Sequence, residues 1–148
     1  MQEEARTPDS PSGSGGAFYE GGSYEYEKEF WVPENWKDQE VIFEFEGVYP
    51  SAVVFINGEE VGGCLYGYSN FQVKAKNLVY GANNTLKVIA DNSKLPNSRW
   101  YTGAGIYRSV WMWIGGRKHI LPDGIRINTL SYNPAKISVE TGHTGGEV

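Results

Sequence analysis

ADNSKLPNSRWYTGAGIYRSVWMWI, residues Ala90–Ile114, holds the pattern that decides the fold. It leaves the end of an apolar run, Leu86–Asp91, and crosses a polar segment broken by Pro96, Gly103 and Gly105. It then enters a second apolar run, Tyr107–Ile114. In the first run Leu86, Val88 and Ala90 alternate with Lys87, Ile89 and Asp91. A period of two is the signature of a strand with one dry face. The loop between the runs carries Asp91, Asn92, Asn97, Arg99, Trp100 and Tyr101. Loops braced by rigid strands are where binding groups usually sit. Asp and Asn hydrogen-bond neighbouring hydroxyls, Arg donates from a planar fork, and Trp and Tyr offer flat apolar faces. That mixture suits a sugar. The plainer alternative is a well-packed loop closing the end of a sandwich.

Outward from this stretch the chain reads as more short strands. Tyr24–Val32 alternates Tyr24, Tyr26, Lys28 and Phe30 with Glu25, Glu27, Glu29 and Trp31, and Pro33 stops it. Glu34–Lys37 is a connector whose Trp36 plugs the end of the core. Val41–Glu46 places Val41, Phe43 and Phe45 on one face. Ala52–Ile56 and Glu59–Gly63 flank Asn57-Gly58, the strongest short hairpin signal, because both turn positions need positive φ. Phe71–Ala75 is the next strand, and Leu78–Asn84 reads as a turn-rich connector. In Tyr107–Ile114, apolar residues fall on both faces. That predicts a strand buried on both sides, or one covered by a second domain. Gly115–Lys118 is a turn, and further strands follow at Gly124–Thr129 and Lys136–Thr141. Met1–Gly16 is rich in Ser, Gly, Pro and Glu and has little to bury, so it is expected to be loosely held.

Composition bounds the function. The 148 residues suit one ordinary domain and the start of another. High Gly (19) and Tyr (10) with many short apolar runs argue for an all-β chain with tight turns. A net charge of −5 without a basic cluster speaks against nucleic acid or an anionic membrane as partner. The longest apolar runs fall well short of the ~20 residues of a membrane helix, and the N-terminus lacks the pattern of a signal peptide. Cys64 is the single cysteine, so no intramolecular disulfide can form. His119 and His143 stand far apart with no metal-ligand spacing around them, and no phosphate or dinucleotide loop is present. No cofactor is expected. The glutamates at period two on Tyr24–Val32 and Val41–Glu46 read as solvated faces, so none is a catalytic candidate.

Asp91–Trp111 resembles, along its whole length, the signature D-N-x-x-x-P-N-S-R-W-Y-x-G-x-G-I-Y-R-x-V-W of the sugar-binding domain of glycoside hydrolase family 2. That family includes β-galactosidases, β-glucuronidases and β-mannosidases. Phe43–Tyr49 (FEFEGVY), Val54–Gly62 (V-x-I-N-G-x-x-V-G) and Gly67–Phe71 (G-Y-x-x-F) resemble further family elements. The resemblance implies a jelly-roll β-sandwich, galactose-binding-domain-like, over residues 23–121. A flexible segment 1–22 would precede it, and 122–148 would open an immunoglobulin-like sandwich. It also implies that the two catalytic glutamates of a retaining glycosidase lie on a (β/α)₈ barrel of the same parent chain and not here. Asp91, then Asn92, would contact the terminal sugar of a β-galactoside or related β-glycoside. Arg99, Trp100 and Tyr101 would serve the same pocket or hold the loop onto the barrel. The motif's form is nearest the bacterial β-galactosidases. One departure stands out: the strands and the L-P-H-D-W-like element that precede the Gly-rich stretch in the family are missing from Met1–Gly22. An edge left unpaired in this way is open to pairing with another chain, which would give a homo-oligomer. Two other readings stay open. One is a stand-alone carbohydrate-binding module stacking sugars on Trp100, Tyr101, Tyr66 and Tyr68. The other is a docking domain that touches no sugar.

Overall fold

Strand periodicity along the chain becomes eleven strands and one short 3-10 turn (Glu34–Trp36) in the computed structural model, which describes residues 8–9, 13–14, 21–94 and 104–145. The strands are β1 (Ser23–Val32), β2 (Gln39–Phe45), β3 (Val48–Tyr49), β4 (Ala52–Ile56), β5 (Glu59–Cys64) and β6 (Phe71–Lys74). They continue as β7 (Ala82–Asp91), β8 (Gly105–Ile106), β9 (Val110–Gly116), β10 (Ile120–Tyr132) and β11 (Ala135–His143). One antiparallel sheet runs β1-β7-β4-β5 and a second runs β6-β2-β9. A two-residue ribbon pairs β3 with β8, and β10 with β11 forms a separate hairpin. The fold is an all-β sandwich, as the composition and alternation require.

The core lies where the two sheets face each other. Val54, Ile56, Leu86, Val88 and Ala90 come from the first sheet, and Val41, Phe43, Phe45 and Val73 from the second. Phe30 meets Phe43 edge-on across the layers at 5.2 Å between centroids, and Phe45 stacks on Phe71 at 4.9 Å. Trp36 packs partly buried against this cluster, as its place after Pro33 predicts. Asn57 (φ 50°) and Gly58 (φ 83°) make the expected turn between β4 and β5.

Three differences from the sequence reading have physical causes. First, β7 begins at Ala82, inside the segment expected to be a connector. Asn84 is a poor strand former by type, yet it is almost completely buried. Its Oδ1 accepts from the Val79 N–H (2.8 Å) and from Asn57 Nδ2 (2.7 Å), and its Nδ2 donates to the carbonyls of Val79 (2.8 Å) and Ala82 (3.2 Å). A buried amide with all these partners is stable where a free one would not be. Second, Tyr107 does not belong to β9. Its N–H bonds the Gly47 carbonyl and its Oη donates to the Gly67 carbonyl at 2.8 Å. Third, β9 is not buried on both faces within this chain. It is an edge strand, and Val110, Met112 and Ile114, which point between the sheets, remain more than a third exposed. β1 is an edge strand too, and a cleft of about 410 Å³ opens between the sheets, lined in part by Tyr26, Phe30, Val110 and Met112.

Asn84→Ala removes a fully bonded buried amide and orphans its partners. A loss of about 3 kcal/mol is expected, at 1–3 kcal/mol per strongly unsatisfied group. Urea denaturation followed by circular dichroism measures it; a loss below about 1 kcal/mol would show that the amide's bonds contribute little.

Candidate functional site

The strand β7 is central in its sheet, paired with β1 on one side and β4 on the other. Its period of two sets the chemistry of its last residues. Ala90 is fully buried in the core, so Asp91 turns to the opposite face and Asn92 turns back in, buried beside it. Asp91 sits opposite Ser23 of β1, and its N–H donates to the Pro50 carbonyl at 3.1 Å. The Asn92 N–H donates to the Gly22 carbonyl at 2.8 Å. Both candidate residues are therefore placed by backbone bonds to the neighbouring segments on either side.

Asp91 as a residue is partly exposed, and its carboxylate, at the surface, accepts the Ser93 N–H on Oδ1 at 2.9 Å. The Ser93 hydroxyl and N–H, with Lys94 nearby, hold its pKa below the ordinary 3.8, against a small opposing effect of burial. The group is thus an anion at neutral pH, with Oδ1 tied to the loop.

The return of the loop is anchored as firmly as its start. Gly105, in β8, has φ +102°, and a Cβ there would lie 1.9 Å from the Tyr26 hydroxyl oxygen. Glycine alone fits, and the close approach ties the end of the signature stretch to β1. Gly105 thus belongs to a strand. Arg99, Trp100 and Tyr101 lie outside the described residues, as does Asn97; the described chain places the two ends between which they run. Tyr66 and Tyr68, on the β5–β6 connection, are 64% and 47% exposed, and meet edge to face at 5.7 Å between centroids. Tyr68 also leans on Tyr49. Among the described residues no group of three His, Cys, Asp or Glu side chains is placed to hold a metal ion.

Sequence reasoning missed one arrangement. On the outer face of the β6-β2-β9 sheet, Trp111 and Trp113 are 50% and 53% exposed. Trp111 Nε1 donates to Glu46 (3.0 Å) and Trp113 Nε1 donates to Glu44 (2.7 Å). The two glutamates do not form a merely solvated face; each fixes an indole. The alternation of Glu44 and Glu46 on β2 and just beyond it, facing Trp111 and Trp113 on β9, was the available signal, but pairing β2 with β9 requires the fold.

Residues 17–105 match the model of a family described as glycosyl hydrolase 2 galactose-binding domain-like. A β-galactosidase of Bacteroides ovatus is 40% identical over 124 residues, covering 83% of this chain and 15% of that protein. A β-glucuronidase of Bacteroides fragilis is 33% identical over 110 residues, covering 70% of this chain and 16% of that protein. A solved β-glycosidase from Bacteroides vulgatus superimposes with a TM-score of 0.87 at 30% identity, covering 97% of this chain and 19% of that one. The chain therefore spans under a fifth of the length of these relatives.

The lowered Asp91 pKa has a definite sign. The bonds from Ser93 favour the folded, ionised state at pH above the ordinary 3.8, and their contribution is lost as pH falls through the lower folded value. Side-chain carboxyl NMR of the chain is expected to give an Asp91 titration midpoint below 3.8, moving up towards it in Ser93→Ala. A midpoint above 3.8 would mean that the Ser93 bonds do not hold in solution.

Proposed function

Because the chain belongs to the glycosyl hydrolase 2 galactose-binding domain-like family, we propose that it works as the sugar-binding domain of a larger β-glycosidase, of β-galactosidase type. In this reading the catalytic glutamates lie on a barrel elsewhere in the parent, and this domain shapes the mouth of the pocket. The observation that carries it is Asp91: an anion at the end of a central strand, fixed by Pro50 and Ser93, at the head of the Asp91–Trp111 motif. Ser93 holds the carboxylate in place through its N–H on Oδ1 and its hydroxyl, and the carboxylate's remaining acceptor capacity would take a hydroxyl of the terminal sugar. Asn92 positions the turn from inside. Arg99, Trp100 and Tyr101 line the same mouth or seat the loop on the barrel.

The domain limits follow the same reading: a leading segment 1–22, the sugar-binding sandwich 23–121, and the opening strands of an immunoglobulin-like sandwich from 122. Support for the last boundary comes from the hairpin. Its register shifts between Ile120 and Ile125, where Asp123 has φ 56°. Beyond that bulge Ile125, Ile127, Ile137 and Val139 share one uncovered face, which suits strands awaiting a second sheet.

A second reading, a stand-alone carbohydrate-binding module, is favoured by the exposure of Tyr66 and Tyr68. Asp91→Asn in the full-length enzyme separates the two. It keeps the shape and removes the charge, so kcat/KM for a nitrophenyl β-galactoside should fall about 10- to 100-fold through loss of a charged hydrogen bond. Unchanged kcat and KM would leave the loop a docking element only. Calorimetric titration of the 148-residue chain with galactose tests the module reading. A Kd tighter than about 1 mM (about −4 kcal/mol) supports it.

A further inference from the structure

The outer face of the β6-β2-β9 sheet is neither a plain apolar surface nor a plain charged one. In register, Trp111 faces Glu44 and then Gln72 across the sheet, and Trp113 faces Ile42 and then Lys74. The indole centroids lie 6.4 Å apart with their planes 33° from each other. Their N–H groups are already satisfied by Glu46 and Glu44, so what they present outward is ring surface in a fixed orientation. Two shallow hollows lie on this side of the sheet, one of them reaching Trp113, and Glu44 borders both. One of about 510 Å³ includes Ser69, Asn70 and Arg108, and one of about 360 Å³ includes Gln72 and Trp113. The smaller is lined by Trp113 with Ile42, Ile114 and Ile120, the larger by hydroxyl, amide, carboxylate and guanidinium groups, and they meet at Glu44 in a trough along β2 with Trp111 beside them.

We propose that this trough is a second carbohydrate-binding surface, one that takes an extended, neutral β-linked oligosaccharide rather than a single sugar. The axial C–H faces of pyranose rings lie on flat aromatic rings, while their hydroxyls need both donors and acceptors at the edges. Glu44 and Glu46 each give one oxygen to an indole and keep another for a hydroxyl. Asn70, Gln72 and Arg108 supply the donors. An apolar protein partner would fit worse, because covering the face would bury carboxylates whose second oxygens have no matching donor. A polyanion is opposed by the same carboxylates. Two adjoining hollows sharing Glu44 require a ligand long enough to cross it. The surface lies on the opposite sheet from Asp91 and works without it, so the proposal does not rest on the reading of that site.

The test is titration of the 148-residue chain with hexaoses of β-1,4-linked glucose, galactose and mannose, read by tryptophan emission and by acrylamide quenching. At least one hexaose should shift the emission saturably and shield the indoles from acrylamide, with galactose alone at least about tenfold weaker, about 1.4 kcal/mol. Trp113→Ala should weaken binding about tenfold or more, and Glu44→Gln should also weaken it by loosening Trp113. Trp31→Ala removes an exposed indole on β1 and should leave the affinity unchanged. Shielding in the unaltered chain needs no variant, so a misfolded mutant does not blunt the test. A folded chain that binds no hexaose, or one whose binding survives Trp111→Ala and Trp113→Ala, overturns the proposal.

Discussion

The structure depends on a polar knot at one end of the sandwich. Asn57, in the β4–β5 turn, donates its N–H to the Thr85 carbonyl, accepts the Thr85 N–H on its Oδ1, and donates from Nδ2 to the Asn77 carbonyl and Asn84 Oδ1. Asn84 in turn binds both polar groups of Val79. The knot fixes where β7 starts relative to the hairpin. Because side chains alternate along a strand, a slip of one residue would turn every core residue outward. With the register held at Asn84, the inward positions Leu86, Val88 and Ala90 follow, and at the strand's end Asp91 and the next residue, Asn92, arrive on opposite faces. An uncompensated slip would exchange their places. The geometry of the candidate site is thus set at the far end of the strand that carries it.

The opposite tendency acts on the flank. The core is dense beneath β2, β4 and β7 and thins towards β1 and β9, each with one free edge. Val110, Met112 and Ile114 face inward but have no strand of the first sheet fully above them. That explains why a run of strongly apolar residues is so exposed, and why a cleft opens there. The outward neighbours Trp111 and Trp113 are exposed for a different reason: their polar atoms are anchored on glutamates, which holds the rings in place without covering them. Adjacent residues of one strand are thus exposed by an unfinished core on one face and by a built polar support on the other.

How much of this the residues declared follows from how local each signal is. Period two in Leu86–Asp91 and Val41–Glu46, the Asn57-Gly58 turn and the Pro33 stop depend on neighbours in sequence, and all four hold in the structure. Family membership was legible too, because a long motif is specific in itself. The start of β7 was not legible: Asn83 and Asn84 look like loop residues, and only contacts with Asn57 and Val79 make them a strand. The β3–β8 ribbon is two residues on each side and leaves no periodic trace. The indole–glutamate pairs needed the pairing of β2 with β9, strands that lie far apart in sequence. Of the candidate site, Asp91 falls where alternation put it, at the strand end, and Asn92 follows it outside the strand, while Arg99, Trp100 and Tyr101 lie outside the described residues.

On the function proposed above, Asp91 would meet its ligand already fixed by its surroundings. A carboxylate on a free loop would offer both oxygens to water and lose conformational freedom on binding. Here the strand fixes the Cα, the Pro50 carbonyl fixes the backbone, and Ser93 engages Oδ1. Much of the ordering is complete before any ligand arrives, which lowers the cost of binding. The same bonds keep the group ionised, so it can only accept, and a hydroxyl must donate to it. A single fixed acceptor selects the direction of a hydroxyl rather than the identity of a sugar. On the proposed function, discrimination between one sugar and another would then come from groups that meet the ring's other substituents, a role that reading leaves to residues between Ser93 and Ala104 and to the rest of the proposed parent.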